Sequence, residues 1–232
     1  MSTDCSPQQE LVRRLGQLDS AAVSDACDQL GLANQVVAGL GPVTGWFNVA
    51  GRVITVELGP WSGQASGRHL CAEATDSATP GHVIVVAHQG RTDCAGWGGN
   101  LSRAALARGA AGTIVDGAVR DVDESLAIGY RVFAAAATPR TARGRAEEKS
   151  WGGTIVIGGV SVDHGDYVVT DSAGAVFIPV DRVDEVLAAA ELIAAKEAMM
   201  AAALADGQPV SAVMGVDYDT MLGHHGRSPE LG

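Results

Sequence analysis

Lysine is almost missing from this chain. Of 16 basic residues only Lys149 and Lys196 are lysines, against 27 acidic residues, for a formal charge of −11. That balance argues against a nucleic-acid or anionic-membrane partner, since both need a basic footprint. The positive charge that remains is guanidinium, suited to planar, bidentate recognition of carboxylates. Cysteine is scarce and unpatterned. Cys5, Cys27, Cys71 and Cys94 lie more than 20 residues apart, form no C-x-x-C and have no His at zinc-finger spacing. This points to a reducing, cytoplasmic setting rather than a disulfide frame or zinc site. The apolar stretches are strand-length or Ala-rich, too short or too weak for a membrane span. The segment MSTDCSPQQE has neither the basic nor the apolar part of a signal peptide.

What is there is a globular composition: 47% hydrophobic residues, 19% charged and 30 glycines in 232 residues, with no low-complexity tract. A domain of this size buries roughly 70% of its unfolded surface, so it needs no staple. Residues 8–30 read as two short helices, the second starting after Asp19 or Ser20 and stopping at Gly31. Gly51–Leu58 reads as a strand, followed by a Gly/Ser/Trp loop of open purpose at Gly59–Gly67. An alternation follows: strand His82–Ala87, helix Leu101–Arg108, strand Gly112–Val115, helix Val122–Ile128 and strand Arg131–Ala135. This order implies right-handed crossovers over a buried sheet. Three strands without intervening helices are expected between Thr154 and Ile178, in a second sheet or folded back on the first. A long helix over Asp181–Asp206 ends at Gly207, with Glu197 on its apolar stripe. No linker or repeat divides the chain, so the expected organisation is a helical lead-in over 1–19, one domain over 20–210 and a tail over 211–232.

The segment Ala95–Glu124 is densest in candidate chemistry. Gly96-Trp97-Gly98-Gly99 leads into Asn100, a candidate N-cap, and backbone N–H groups at a helix start unshielded by Cβ atoms make an anion site. A capped turn explains the same residues. It is neither a Rossmann fingerprint nor a P-loop. Further on, Arg120-Asp121 stands near the C-terminal end of a strand, where α/β folds place ligands. Asp121 with Glu124 three residues later also reads as a capping box.

GWGGNL followed by RDVDE, with Arg120 standing 21 positions after Gly99, resembles the class II pyruvate-aldolase and RraA-like family. This family contains 4-hydroxy-4-methyl-2-oxoglutarate aldolases and regulators of ribonuclease E activity. VSVDHGDYVVTDSAGAVFIP is similar to the family's V-x-P-G-D…D-x-x-G…P signature, and PGHVIVV stands where the family has PGDVIVV. The resemblance covers about residues 20–210 and implies an α/β, swivelling β/β/α fold with a long C-terminal helix. It further implies trimers or hexamers with active sites at subunit interfaces and a small 2-oxo acid as substrate. By resemblance, Arg120 holds the pyruvyl carboxylate and keto or enolate oxygen, and Asp121 binds Mg²⁺ or Mn²⁺. The Gly98–Gly99 helix start, with the amides of Asn100 and Leu101, completes the cradle. Glu197 of a neighbouring subunit joins the metal's outer shell; it matches through its spacing to Leu204 and Gly207, although Ala201 stands where the family has Arg.

One departure bears directly on activity. The aldolases carry an acid 21 positions before the Arg, and here that residue is Gly99. The expected activity is therefore a divalent-metal C–C lyase acting through a pyruvate enolate, in which decarboxylation survives the loss of the acid better than retro-aldol cleavage. A non-catalytic regulatory binding protein, or a biosynthetic lyase of altered substrate, remains the alternative. Among the other candidates, Arg140, Arg143 and Arg145 form a basic loop with Glu147 and Glu148, solvated by default. Recognition of a distal substrate carboxylate is the other option for that loop. His224-His225 is read as part of a disordered polar tail, Cys94 as packed, and Lys149 as lacking the desolvation that a Schiff-base lysine needs.

Overall fold

A computed structural model describes residues 6–64 and 68–214. The chain opens with α1 (Pro7–Leu15) and α2 (Ser20–Gln29), each started by a side-chain cap from Ser6 and Asp19. Then come β1 (Val36–Ala38), β2 (Gly41–Pro42), the long β3 (Val49–Pro60), α3 (Ala72–Ser77) and β4 (His82–Ala87). The central alternation continues with α4 (Gly99–Arg108), β5 (Gly112–Val119), α5 (Val122–Ala127) and β6 (Val132–Ala137). Strands β7 (Ala146–Trp151), β8 (Ile155–Ile157), β9 (Val160–Val162), β10 (Tyr167–Thr170) and β11 (Gly174–Ile178) precede α6 (Val183–Ala205) and the short α7 (Val210–Val213).

Nine strands form one sheet in the order β1-β11-β10-β3-β4-β5-β6-β2, with β7 also on β3. Strands β3 to β6 run parallel; β1, β10, β11, β2 and β7 join antiparallel. Strand β3 is the spine. Its first residues pair with β10, its last with β7, and its other edge with β4.

The sheet is covered on both faces, which is why β4 is apolar at successive positions instead of alternating. Ile84 and Val86 pack with Leu58, Trp97, Leu101 and Tyr130 beneath α3 to α5. Val83 and Val85 face the other way, onto Ile155, Ile157, Val160 and Val162 of the separate β8–β9 hairpin. A third cluster joins Leu15, Val23, Val169, Ile178, Leu187 and Ile193, seating α1, α2 and α6 on the antiparallel strands. Hairpin, mixed sheet and helices are the layers of the expected α/β fold, with the long C-terminal helix in place.

Several local expectations need correction. Strand β5 does not stop at Val115: it kinks between Val115 and Ala118 and re-pairs Ala118 and Val119 with Ala136 and Ala137 of β6. The kink depends on Gly117, where a Cβ would lie 2.6 Å from the Arg91 carbonyl oxygen. Helix α4 begins at Gly99 with Gly98 as its cap, so Asn100 is inside the first turn and caps nothing. Glu147 and Glu148 lie on edge strand β7 rather than in a loop. Four strands, not three, fill Thr154–Ile178, and only β10 and β11 join the main sheet. On α6, Val183, Val186, Leu187, Ala190 and Ile193 are buried, whereas Ala201 further along the same stripe is exposed.

Candidate active site

Strand β5 and helix α4 converge at one point. The loop after β4 is tied to the end of β5: Gly96 N–H donates to the Ala118 carbonyl at 2.8 Å, and Arg120 N–H to the Trp97 carbonyl at 3.0 Å. This brings Arg120-Asp121 against the start of α4. Asp121 sits in left-handed backbone, φ 56° and ψ 39°, a region that Asp tolerates better than most residues. Its side chain makes no cap to α5. One carboxylate oxygen, Oδ2, accepts the Gly99 N–H at 3.1 Å; the other, Oδ1, accepts Arg120 Nε at 3.1 Å. The capping box expected between Asp121 and Glu124 is therefore absent. Glu124 turns instead towards α4, where its Oε1 accepts Arg103 Nε at 2.6 Å.

Gly99 lies between the two carboxylates. A Cβ there would stand 2.5 Å from the Glu124 Cδ, so the acid missing at position 99 is replaced in space by the side chain of Glu124. Neighbouring Gly98 is also closely hemmed, with its Cβ position 3.0 Å from Asp121 Oδ2 and 3.1 Å from Arg120 Cγ. As residues of the first helical turn, Asn100 and Leu101 have no intrahelical acceptor for their N–H groups. Those groups, with the Arg120 guanidinium, form the positive end of the site.

A buried polar chain runs beneath this cradle. Ser125 Oγ donates to Ser102 Oγ at 2.8 Å, Trp97 Nε1 donates to the same oxygen at 2.9 Å, and the Ser102 hydroxyl donates to the Gly98 carbonyl at 3.3 Å. The first turns of α4 and α5 are thereby locked together. Above the cradle opens a cleft of about 670 Å³ with Gly98, Gly99, Asn100, Leu101, Arg120 and Asp121 in its wall.

Glu197 is not in that wall. It is half-buried on α6, and burial, with Asp19 and Asp25 adding repulsion, holds its carboxyl above the ordinary range. Lys149 is exposed and pairs with Glu147 at 2.7 Å. Cys94 and His88 are buried against each other, their Sγ and Nε2 3.8 Å apart. His82 holds a turn by accepting the Thr79 N–H at 3.1 Å. The His224-His225 tail lies outside the described residues. Glu124 is the site residue that sequence reasoning read only as a cap partner; the available signal was its position four residues after Arg120, on the first turn of α5.

Among the described residues no three His, Cys, Asp or Glu side chains cluster closely enough to hold a metal on their own. The donor set around Gly99 is carboxylate oxygen, which suits a hard divalent cation that keeps most of its water, the usual habit of Mg²⁺.

An arginine–carboxylate pair at a strand end, facing an open helix start, occupies the position where mixed α/β folds place their ligands. The Aldolase/RraA (RraA-like) profile matches residues 20–177, and the chain belongs to that family. It is 29% identical over 197 residues to Protein DlpA of Legionella pneumophila, covering 85% of this chain but only 32% of that protein. The chain thus spans about a third of DlpA's length. It is 31% identical to a Halalkalibacterium halodurans protein named "Putative 4-hydroxy-4-methyl-2-oxoglutarate aldolase", covering 77% of this chain and 80% of that one. Among solved structures it resembles an uncharacterized protein from Pseudomonas syringae pv. tomato, with TM-score 0.81, 29% identity and coverage of 88% and 92%. It also resembles Streptomyces coelicolor RraAS2, described as an unusual member of the RNase ES inhibitor RraA protein family, with TM-score 0.72, 27% identity and coverage of 80% and 92%. At the level of the family this kinship supports a lyase, and the same family holds regulators. No helix among the described residues is long and apolar enough to cross a membrane.

Proposed function

We propose that the cleft cleaves a C–C bond of a small 2-oxo acid, by retro-aldol cleavage or oxaloacetate-type decarboxylation, with release of pyruvate. The observation that carries this reading is the joining of Arg120, Asp121, Glu124 and the α4 start around Gly99. The Arg120 guanidinium and the free N–H groups of Asn100 and Leu101 bind the substrate's carboxylate and orient its 2-oxo group. When the bond to C3 breaks, its electron pair moves onto the 2-oxo oxygen as an enolate, and Arg120 faces that developing charge. Asp121, with Glu124 near it, would hold a Mg²⁺ or Mn²⁺ ion. That ion supplies Lewis-acid stabilisation of the enolate. In the retro-aldol direction Glu124, which stands beside Gly99 but outside the cleft wall, takes the proton of the 4-hydroxyl through a bridging water, and a proton is delivered to C3 to give pyruvate.

The protein works, in this reading, as a trimer or hexamer in the cytoplasm, with Glu197 reaching a neighbouring subunit's site. Support for an uncovered face comes from α6, where Leu192 and Met199 are each 66% exposed. The second reading, a binding protein that regulates a larger enzyme, draws its support from the likeness to RraAS2. A pyruvate-release assay over a panel of 2-oxo acids, with Mg²⁺, with Mn²⁺ and with EDTA, separates the two. Metal-dependent pyruvate release supports the lyase; no release from any substrate supports the regulator.

A further inference from the structure

Two sequence features have no part in that chemistry: the Trp-containing loop after β3 and the arginine-rich loop before β7. The structure brings both into the wall of the same cleft as the cradle. Trp61 and Arg143 line it together with Arg120 and Asp121. Of the three arginines in the second loop, Arg145 is outside the cleft wall and folds back on its own loop, its Nη1 donating to the carbonyls of Thr141 and Arg143 at 3.2 and 3.3 Å. Arg140 is outside the cleft wall, and its carbonyl accepts the Ala95 N–H at 3.0 Å. Arg143 alone of the three faces the cavity. In a chain of net charge −11 its guanidinium makes no salt bridge among the described residues, whereas Arg68 in the same wall is paired with Glu73.

Trp61 is held in place. Its Nε1 donates to the Gln64 carbonyl at 3.2 Å, and its backbone N–H donates to Arg145 at 3.2 Å. Next to it, the N–H and hydroxyl of Ser62 both donate to Glu147 Oε2 at 2.7 Å. The indole rests over Gly144, whose Cβ position is 3.8 Å from Trp61 Cζ3; φ +70° keeps that residue a glycine. Trp61 is 46% exposed and lines the cleft, so an anchored tryptophan lies open to it. About 670 Å³ is the size of site that takes a drug-sized ligand, many times the space of a three-carbon acid.

We infer that this outer half of the cleft is a specificity subsite for the leaving fragment of the substrate, which is planar and aromatic and carries an anionic group: its ring lies on Trp61 and its carboxylate pairs with Arg143. The inference rests on the lyase reading for its chemistry, though not for its binding. The matching substrate class is a 4-hydroxy-4-aryl-2-oxo acid. Its C3–C4 bond breaks, the 4-hydroxyl loses its proton as C4 becomes the aldehyde carbonyl, and C3 gains a proton as pyruvate forms.

The test has a binding arm and a turnover arm, both on the full chain. In calorimetric titrations with pyruvate and Mg²⁺ present, 4-acetylbenzoate should bind the wild type. Arg143→Ala and Trp61→Ala should each weaken it about tenfold or more, while acetophenone, which lacks the carboxylate, should respond to Trp61→Ala alone. No binding to the wild type, or equal binding to all three proteins, overturns the subsite. In turnover, the ratio of 4-(4-carboxyphenyl)-4-hydroxy-2-oxobutanoate cleavage to oxaloacetate decarboxylation should fall at least about tenfold in both variants, and an unchanged ratio counts against it. If nothing is turned over but 4-acetylbenzoate still binds through Trp61 and Arg143, the lyase reading fails and the subsite stands. If oxaloacetate is decarboxylated and 4-acetylbenzoate does not bind, the subsite fails alone.

Discussion

The carboxylate of Glu124 stands against the α-carbon of Gly99, in the space that a side chain at position 99 would fill. Gly99 is the first residue of α4 and does not have positive φ, so an aspartate there meets no backbone strain. It meets Glu124. Gly99→Asp alone should therefore leave aldol cleavage flat or lower, because two acids compete for one place beside Asp121. Glu124→Gln should lower retro-aldol turnover by about 10²–10⁴-fold, the usual worth of a positioned base, and decarboxylation by much less. The double variant Gly99→Asp/Glu124→Gln should recover aldol turnover relative to Glu124→Gln. Steady-state pyruvate release on both substrate types checks this; recovery with Gly99→Asp alone would show that Glu124 does not stand in for the missing acid.

Asp121 separates a structural from a chemical role cleanly. Asparagine also tolerates left-handed backbone, and Asp121 caps nothing on α5, so Asp121→Asn should leave the melting temperature nearly unchanged. Metal-dependent turnover should drop about 10²-fold or more, as when an electrostatic stabiliser of the transition state is lost. Asp121→Ala places a side chain with no polar group in the same φ, at a cost of about 1–3 kcal/mol, and should melt earlier as well. EDTA-resistant turnover would contradict the assignment of the metal to this residue.

How much of this was visible in the sequence depends on the range of the interactions involved. Helices α2 and α6 were legible because Asp19, Gly31 and Gly207 mark their ends locally. Strand β4 was legible because five apolar positions in a row, Val83–Ala87, have few other solutions. Strand β7 was not: AEEKSW is polar because it lies at an edge, where Lys149 and Ser150 can stay in water. Asp121 and Glu124 have the spacing of a capping box, and nothing local reveals that the backbone of Asp121 is left-handed. That geometry comes from Trp97 and Gly99, more than 20 residues away in the chain. For the same reason Glu124 could not be placed beside Gly99 until α4 and α5 were docked.

The docking itself can be weakened without touching the site. Ser102→Ala leaves Trp97 Nε1 and the Ser125 hydroxyl without their buried partner. An unsatisfied buried group costs about 1–3 kcal/mol, or roughly 2–4 °C of melting temperature per kcal/mol in a chain of this size. If the chain from Ser125 to Gly98 also sets the cradle, KM for oxaloacetate should rise in Ser102→Ala well below the melting transition. A lower melting point with unchanged KM would reduce Ser102 to a packing role.

The Ser62 clamp should have an acid limit. Ion pairing with Lys149, then the two Ser62 hydrogen bonds, hold the Glu147 carboxyl down at about 2 against an ordinary 4.5. A depressed folded-state value means that the contribution is complete above the ordinary value and lost as pH falls from 4.5 towards 2. The environment of Trp61 should change over that window. Glu147→Gln should remove the pH dependence of the Trp61 emission, measured as the difference from Trp61→Phe. A Trp61 signal that titrates unchanged in Glu147→Gln would break the link.

Glu197 should act across a subunit boundary. It interrupts an apolar stripe and is half-buried, and burial, with repulsion from Asp19 and Asp25, raises its carboxyl above the ordinary range. Burying such a carboxyl costs free energy unless a cation or hydrogen-bond donor meets it, and Ala201, further along the stripe, is exposed. Both features are resolved if α6 packs on a second copy and Glu197 meets the cationic end of that copy's cleft. Arg120→Ala and Glu197→Ala should then each be poorly active alone. Mixed and allowed to exchange subunits, they should regain part of the wild-type rate, because some interfaces pair an intact Arg120 with an intact Glu197. Light scattering should give a trimer or a multiple of it. Glu197→Gln, which keeps the shape without the charge, should assemble normally and still fail to complement Glu197→Ala. A monodisperse, fully active monomer would falsify the shared site.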